Sequence, residues 1–450
     1  MASDLERAFG ALTGKKEAYD RLFRYYDGDQ PLVYSAERLR EVFQRLDAKF
    51  CQNWCALVVD AVMERLNLTG IAVEDKAAQE VLNAAWDANH LEIDSDDTHT
   101  AALIAGESFI VAWPDENGQP EAYFHDPRMC HVFYDADHPR RKVFAAKWWK
   151  QADERVRMTL YYPGRIEQYL SRSKQGTFQK ASDFVPMEPP SWENPYGVVP
   201  VFHFQRSLRS NGSELLNVTP LQDAVNKLLA DMMVAAEFGA FKQRWVISNA
   251  ENIGALKNSP NEVWDLPAGD GVGQQTQVGE FGPTDLSNFL GAIDKLTNTI
   301  AIITRTPKHY FMDGGANLSG EALLAMEAPL NSKCRKYQEL WTPVWKELAA
   351  FLLRIGGLEV DEGSIQPTWQ EARTIQPHTE AQIRKLNVEA GVPLITTLRR
   401  EGWGEDDMAQ LLQDQAEAAA GQQASLATAL VEAQRRMDQG GNDVTGRDAG

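Results

Sequence analysis

The chain has 450 residues, of which 43% are hydrophobic and 9% aromatic, enough to bury real cores and too many for a disordered chain. Its 45 basic and 64 acidic residues leave a formal net charge of −19. This balance argues against a protein that holds nucleic acid by neutralising phosphates, because that affinity requires a clustered basic surface. It does not exclude a protein past which nucleic acid slides. At roughly 150 residues per domain, the length predicts about three domains.

The four cysteines form no disulfide framework in a chain of this length and indicate a reducing compartment. Cys51 and Cys55 lie one helical turn apart, but no second Cys or His pair has ligand spacing, which favours core thiols over a zinc site. No apolar signal core follows Met1, and no stretch approaches the ~20 apolar residues of a membrane span. We therefore expect a soluble, unexported protein.

The N-terminal part of the chain reads as helical. A first helix is expected from Asp4 to Tyr26, where Asp27-Gly28 signals a turn. Apolar residues recur three and four apart in the next segment, so one face of that helix is expected to be buried. The three further helices are predicted at about 47–66, 74–91 and 97–105.

The pattern then changes to short runs rich in aromatic and β-branched residues, separated by turn signals such as Asn117-Gly118 and Pro163-Gly164. We expect one antiparallel sheet from these strands, followed by a Pro-rich loop over 186–200 and a last strand at 201–204. The six earlier strands are predicted at 108–113, 122–125, 130–134, 143–149, 157–162 and 165–170.

Helical periodicity returns after Gly212. A helix is predicted at about 217–245, followed by a Gly-rich insert over 246–283 whose only basic residue is Lys257, and by a second helix of about 22 residues that Pro307 ends. A loop follows over 306–319.

The longest helix is predicted from Gly320 to Ile355, kinked but not ended by its two prolines and stopped by Gly356-Gly357. After an extended stretch at 364–369, helices are expected from 378 to about 436 and a disordered tail beyond. The fold class predicted is α+β, mainly helical.

The usual catalytic constellations are absent from the sequence: there is no phosphate-binding loop, zinc-protease motif or nucleophile elbow. Asp94, Asp96 and Asp97 lack calcium-loop spacing and are interpreted as a helix N-cap with acids in the first turn. The histidines at 125, 131 and 138 are interpreted as scattered core or surface residues rather than a metal triad. No enzyme, metal site or cofactor is predicted.

The order of the long helices says more about function than the catalytic motifs do. Two long helices flank a small acidic insert, and the second leads through a Gly-Gly loop into a third. Side-by-side copies of such a hairpin could bury each other's flanks and enclose a channel in a ring. The alternative from pattern alone is an ordinary α+β enzyme with a helical lid.

Four motifs resemble those of the siphophage-type portal proteins of tailed bacteriophages. Their order and the helix–insert–helix–loop–helix layout make the resemblance specific over about residues 15 to 400. The motifs are Tyr25-Tyr26-Asp27-Gly28; Asn53 followed by Val58-Val59-Asp60 and Glu64-Arg65-Leu66; Gly212-Ser-Glu-Leu215 followed by Leu221-Gln-Asp-Ala-Val-Asn226; and Ser319-Gly-Glu-Ala-Leu323 followed by Ala328-Pro-Leu330.

The resemblance implies a modular protomer, with helices and a sheet forming a wing and a two-helix stem that carries a small clip. Implied bounds are 1–215 for the wing, 216–245 and 284–305 for the stem helices, 246–283 for the clip, 306–319 for a tunnel loop, 320–358 for the kinked helix returning to the wing, and 359–450 for a helical crown with its tail.

The resemblance also implies a homo-oligomeric ring of about twelve subunits at one capsid vertex, through which double-stranded DNA is packaged and ejected. Implied partners are the terminase large subunit, a head-completion adaptor, and the major capsid and scaffolding proteins, without a membrane. The protein would assemble in the host cytoplasm and remain in the virion. The alternatives are another phage head–tail connector ring or a soluble enzyme.

On this plan the tunnel loop supplies the residues expected to face DNA. Lys308 would touch the DNA backbone, with His309 and Asn317 as polar neighbours. Lys308 could instead pair with a carboxylate of a neighbouring subunit.

In the clip, Trp264 with Asp265 could dock the terminase or the adaptor, or could pack against the next clip. The stem is expected to be held together by apolar side chains. Those singled out are Leu221, Val225, Ile293 and Ile300.

Overall fold

The computed structural model divides the chain into two compact units, Met1–Ala372 and Arg373–Gly450. It combines helices with antiparallel sheets, consistent with an α+β protein, and in the described ranges more residues lie in helices than in strands. The structure describes residues 3–31, 51–174, 180–207, 212–240, 244–247, 277–282, 285–311, 320–372, 377–400, 408 and 410–414.

The described part of the first unit begins with four helices. The first matches its predicted bounds, and its N-terminus is closed by a capping box between Ser3 and Glu6. The second is shorter than predicted because Asn53 caps it by accepting from the backbone N–H of Ala56; residues 47–50 lie outside the described ranges. The helices are α1 (Asp4–Tyr26), α2 (Trp54–Met63), α3 (Lys76–Ala88) and α4 (Leu91–Ala105).

The start of α4 corrects the interpretation of the acidic residues. This helix begins six residues earlier than predicted, so Asp94, Asp96 and Asp97 lie inside it and none of them is its N-cap. Asp94 instead accepts a hydrogen bond from the backbone N–H of Phe124 at 2.8 Å and ties α4 to the neighbouring sheet. Among the described residues, no cluster of His, Cys, Asp and Glu has the arrangement of a metal site.

The central strands form two antiparallel sheets, so the prediction of one sheet was wrong. One has three strands in the order β3-β2-β9, and the other has five in the order β4-β5-β6-β7-β8. The strands are β2 (Glu107–Pro114), β3 (Pro120–His125), β4 (Cys130–Tyr134), β5 (Lys142–Lys150), β6 (Val156–Tyr161), β7 (Arg165–Ser171), β8 (Phe184–Glu193) and β9 (Val201–Gln205).

The Pro-rich segment contradicts the prediction of a loop from Pro186, because its first part is strand β8. This strand lies at the edge of the five-stranded sheet and pairs only with β7 among the described strands. A proline has no N–H to donate to a ladder, and an edge strand has a side on which no donor is needed. The proline content therefore specified an edge position rather than a loop.

A buried carboxylate connects α1 with both sheets. Glu107, on β2, is fully buried and accepts hydrogen bonds from Lys15 Nζ at 2.8 Å and from the hydroxyl of Tyr19 at 2.9 Å. His203 on β9 lies 3.0 Å from its other oxygen, and Lys15 also donates to the carbonyl of Cys130 on β4. The charge is thus compensated on several sides, as a buried charge requires.

After the sheets, the described ranges of the first unit contain three long helices. The first ends at Ala240, earlier than the predicted residue 245, because the chain turns into a strand at Arg244 that pairs with Gln277–Glu280. The third has the predicted bounds and continues through Pro329 and Pro343. These elements are α5 (Thr219–Ala240), β10 (Arg244–Ile247), β11 (Gln277–Glu280), α6 (Ser287–Thr304) and α7 (Gly320–Ile355).

The predicted stop of α7 at the glycine pair is confirmed. Gly357 adopts a left-handed conformation with φ of 83°, which a glycine tolerates best, and the N–H of Leu358 returns to the carbonyl of Leu353. The predicted extended stretch is β12 (Ile365–Trp369), which pairs with β1 (Leu68–Val73) of the same unit. The described helices of the second unit are α8 (Pro377–Glu389) and α9 (Leu394–Arg400).

The main core of the first unit is built around α7. Trp341 and Trp345 are fully buried, and the ring of His99 from α4 stacks on Trp341 with 4.6 Å between centroids. His99 Nε2 accepts a hydrogen bond from Trp345 Nε1 at 3.1 Å. Because burial disfavours the imidazolium, the pKa of His99 is lowered to about 3.

Replacement of His99 by glutamine tests this buried imidazole. Below about pH 6.5 the unfolded chain binds a proton at His99, whereas the folded chain does not until the pH approaches about 3. Folding stability is therefore lost as the pH falls from about 6.5 towards 3. Gln retains an acceptor for Trp345 and does not titrate. Between pH 7.5 and 5, we expect the wild type to lose about 2 kcal/mol more unfolding free energy than His99→Gln in urea denaturation. Parallel pH profiles for the two proteins would contradict this expectation.

Candidate functional site

The helix pair α5–α6 carries the residues predicted for the stem. The two helices pack against each other, and Val225, Ile293 and Ile300 are buried, whereas Leu221 is half-buried against the main core. Ile300 belongs to that core, so the C-terminal end of α6 is anchored in the body of the first unit. The pair therefore begins and ends on one packed base.

The same pair leaves large apolar side chains in solvent. Met233 of α5 and Leu290 and Ile302 of α6 are 43%, 52% and 67% exposed in the single chain. These side chains lie on two neighbouring helices, and a second chain packed against the pair would remove them from water. Of the clip expected at 246–283, the structure describes only residues 246–247 and 277–282, so Trp264 and Asp265 lie outside the described ranges.

Lys308 lies in a short 3₁₀ turn, Lys308–Tyr310, that follows α6. Its side chain is exposed, and within the described part of the chain no carboxylate lies within ion-pair distance of it. His309, in contrast, is half-buried, with Nε2 at 3.7 Å from a carboxylate oxygen of Glu327 on α7. Asn317, the third residue predicted for the tunnel loop, lies outside the described residues.

Arg65 holds the turn that presents Lys308. Its guanidinium donates to the hydroxyl of Tyr310 at 2.5 Å and to the side-chain oxygen of Asn331 at 3.1 Å. It also lies 3.5 Å from the carboxylate of Glu327. One cation following α2 thus fixes both the turn after α6 and the early part of α7, so the ends of the segment between them have defined positions.

Four amide side chains meet the backbone of Gln52 where α5 begins, and we call these four side chains the amide cluster: Gln30, Asn53, Gln222 and Asn226. Asn226 Nδ2 donates to Gln30 Oε1 at 2.6 Å, and Asn226 Oδ1 accepts from the backbone N–H of Gln52 at 3.2 Å. Gln222, which is fully buried, donates to the carbonyl of Gln52 and accepts from the N–H of Trp54 at 3.0 Å. Gln30 Nε2 reaches Asn53 Oδ1 at 3.1 Å.

Two tyrosines extend the amide cluster to neighbouring carboxylates. The hydroxyl of Tyr25 donates to Asp223 at 2.7 Å, and that of Tyr26 donates to Asp60 at 2.9 Å. Burial, followed by the hydrogen bond to the neighbouring carboxylate, raises the pKa of both hydroxyls, so both remain protonated donors. The end of α1, the start of α2 and the start of α5 are thereby joined by directional bonds.

Gly28 is required for the same connection between α1, α2 and α5. Its φ of 76° lies in the left-handed region, and an added Cβ would lie 3.4 Å from the side chain of Asn53. The glycine lets the chain turn after α1, so that Asn53 can donate to the carbonyl of Tyr26 at 2.6 Å.

A second buried group connects α6 with α7. Glu214 accepts from Lys333 Nζ at 3.0 Å, from Arg206 Nε at 3.3 Å, and from the hydroxyl of Tyr337. Burial alone would raise the pKa of Glu214, but the nearby cations Lys333 and Arg206 lower it. Lys333 also donates to the carbonyl of Thr304, the last residue of α6, at 2.8 Å.

The sequence analysis singled out the motif that contains Gln222 and Asn226, but it assigned no role to these two polar residues. Gln222 and Asn226 are one turn apart on α5, on a helix whose neighbouring positions Leu221 and Val225 are apolar. Amides at helical spacing within an apolar pattern were the available signal, because buried amides need hydrogen-bond partners. Their partners could not be read from the sequence, since they lie about 170 to 200 residues away.

The hydrogen bonds of the amide cluster are tested by Asn226→Ala, which would leave the buried side-chain oxygen of Gln30 and the partly buried backbone N–H of Gln52 without the partner they have in the structure. We expect a loss of about 3 kcal/mol in unfolding free energy by urea denaturation, since each unsatisfied group costs 1–3 kcal/mol. The matched control is Asn298→Ala on α6, whose amide bonds only the carbonyl of Asp294 in its own helix, with an expected change below about 0.5 kcal/mol. Equal losses in the two variants would refute a special role for the cluster.

Comparison with known proteins identifies the chain's relatives. Residues 10–422 match the family described as "Phage portal protein, SPP1 Gp6-like". The portal protein of Mycobacterium phage L5 is 26% identical over 380 residues, which cover 78% of this chain and 74% of the relative. The portal protein of Mycobacterium phage D29 is 25% identical over 347 residues, or 71% and 68% of the two chains. Among the described helices, none combines the length and apolar composition needed to cross a membrane.

Proposed function

The chain belongs to the SPP1 Gp6-like family of phage portal proteins and is itself a portal protein, and on this premise we propose that about twelve copies close into a ring. The match over residues 10–422 carries the proposal. The exposed apolar residues on α5 and α6 support it, because a neighbouring copy would cover them. Portal proteins belong to the phage head; the ring would occupy one capsid vertex after assembly in the host cytoplasm.

Within the ring, α5 and α6 would form the stem, residues 246–283 the clip and residues 306–319 the tunnel loop. Residues 1–215 would form the wing, to which α7 returns. Because β12 pairs with β1, we propose that the crown begins at Arg373 rather than at residue 359.

Double-stranded DNA would pass through the ring during packaging and ejection. Each copy carries a formal net charge of −19, so most of its surface would repel phosphates. Weak contacts suit a conduit, because tight phosphate binding would stall the DNA. We assign one such contact to Lys308, whose exposed ammonium is held out by a turn that Arg65 and Glu327 fix.

Lys308→Ala tests the DNA contact, with Lys308→Arg as the control that keeps the charge. We expect DNase-protected DNA per head to fall roughly two- to tenfold in the alanine variant, because one screened phosphate contact per subunit is lost. The arginine variant should package normally. Unchanged efficiency and salt dependence in Lys308→Ala would contradict the contact, and failed ring assembly would indicate pairing with a neighbouring subunit.

The clip would dock the terminase large subunit and later the head-completion adaptor, while the wing would contact the major capsid and scaffolding proteins. We propose Trp264, with Asp265 beside it in the sequence, as the docking anchor, because buried aromatics dominate many interfaces.

Trp264→Ala should leave ring assembly unchanged and weaken adaptor binding by at least about tenfold, as expected on removal of an aromatic hot spot. Native mass spectrometry of the rings and a pull-down with the adaptor measure the two effects separately. Loss of the ring itself would instead show that Trp264 packs between neighbouring clips.

A further inference from the structure

A cationic cleft lies between the end of β9, the end of α6 and the middle of α7. We propose that this cleft binds the phosphodiester backbone of the double-stranded DNA that the ring conducts, an inference that rests on the proposed function. It adds a second phosphate contact to that of Lys308. The cleft has a volume of about 770 Å³ and is open to solvent.

Four basic side chains line the cleft: Arg206, Arg305, Lys333 and Lys336. Arg206 and Lys333 share the buried carboxylate of Glu214, and Glu339 is the acidic residue on the cleft wall. Four cations and two carboxylates leave a formal excess of two positive charges. In a chain of net charge −19, this local excess is where an anion would be attracted.

The two outer cations are available for a ligand. Arg305 and Lys336 are exposed, and within the described residues neither has a carboxylate at ion-pair distance. The inner pair differs, because Lys333 and Arg206 are held by Glu214 and by the backbone carbonyls of Thr304 and Gly212. The inner network therefore gives the cleft a fixed wall, and the outer pair provides exposed donors on its lining.

The backbone of Arg305 is a second, independent observation. It caps α6 in the left-handed conformation, with φ of 59° and ψ of 25°. Glycine is strongly preferred at such a position, because other residues bear a steric cost there. A long basic side chain at a site where glycine would be more stable points to a role for the side chain itself.

The chemistry of the cleft fits a nucleic-acid backbone. An arginine guanidinium can donate two parallel hydrogen bonds to a phosphate, and a lysine ammonium supplies a point charge. The cleft is too small for a whole duplex, but its open side can receive the edge of one strand. Two exposed cations give a contact that salt screens, as a conduit requires. Arg305 also directly precedes residues 306–319, the segment proposed to face the DNA.

The test uses purified rings of Arg305→Gly, Lys336→Gln and the double variant, with Lys76→Gln as a control that removes an exposed lysine of α3. Arg305→Gly removes the charge and relieves the backbone, so folding should not suffer. The probe is a fluorescent 30-base-pair duplex, titrated at several salt concentrations, and native mass spectrometry checks ring assembly. We expect rings from every variant, about tenfold weaker duplex binding by the double variant and a smaller salt dependence, with Lys76→Gln unchanged.

The other outcomes separate the two proposals. Rings of the double variant that bind the duplex with wild-type affinity and salt dependence would overturn the cleft assignment and leave the portal ring intact. Loss of rings in the double variant would overturn it too, because the cleft would then hold an acidic surface of another copy. Wild-type protein that forms no ring would contradict the proposed function, and this inference with it.

Discussion

The orientation of α5 depends on hydrogen bonds between buried amides of this helix and residues near the end of α1 and the start of α2. Gln222 and Asn226 are buried on this helix, and a buried amide left without partners costs more than most apolar contacts contribute. Their partners are Gln30, which follows α1, Gln52, which precedes α2, and Trp54, the first residue of α2. Apolar packing alone would tolerate small rotations of α5, whereas these directional bonds do not. The helix therefore leaves the body of the first unit in one direction.

Polar contacts also fix the other end of the helix pair. Glu214 and Lys333 fix the last carbonyl of α6 to α7, and Arg65 fixes the turn that follows. In the proposed ring, the segment that faces the channel would have to stay in place while DNA moves past it. Short polar connections from a packed core would meet that need, because they would position the cations proposed to contact DNA without neutralising them. The strongly acidic balance of the rest of the chain would keep phosphate binding weak.

Local patterns predicted the long helices well and the long-range pairings poorly. The bounds of α7 followed from its apolar periodicity and from the glycine pair that ends it, although two prolines lie inside it. The end of α5 was misplaced, because pairing between β10 and β11 interrupts a sequence that still has helical character. Strand β8 was read as a loop, since its prolines fit a strand only at a sheet edge. The amide cluster joins residues far apart in the chain, which no local spacing reveals.

The most direct test of the account is the mass and rotational symmetry of the purified protein, from native mass spectrometry and negative-stain class averages. The account predicts closed rings of about twelve subunits around an open channel, with the apolar faces of α5 and α6 covered by neighbouring copies. A monomer or dimer that persists at high protein concentration would contradict it, because those faces would then remain in water with no copy to cover them.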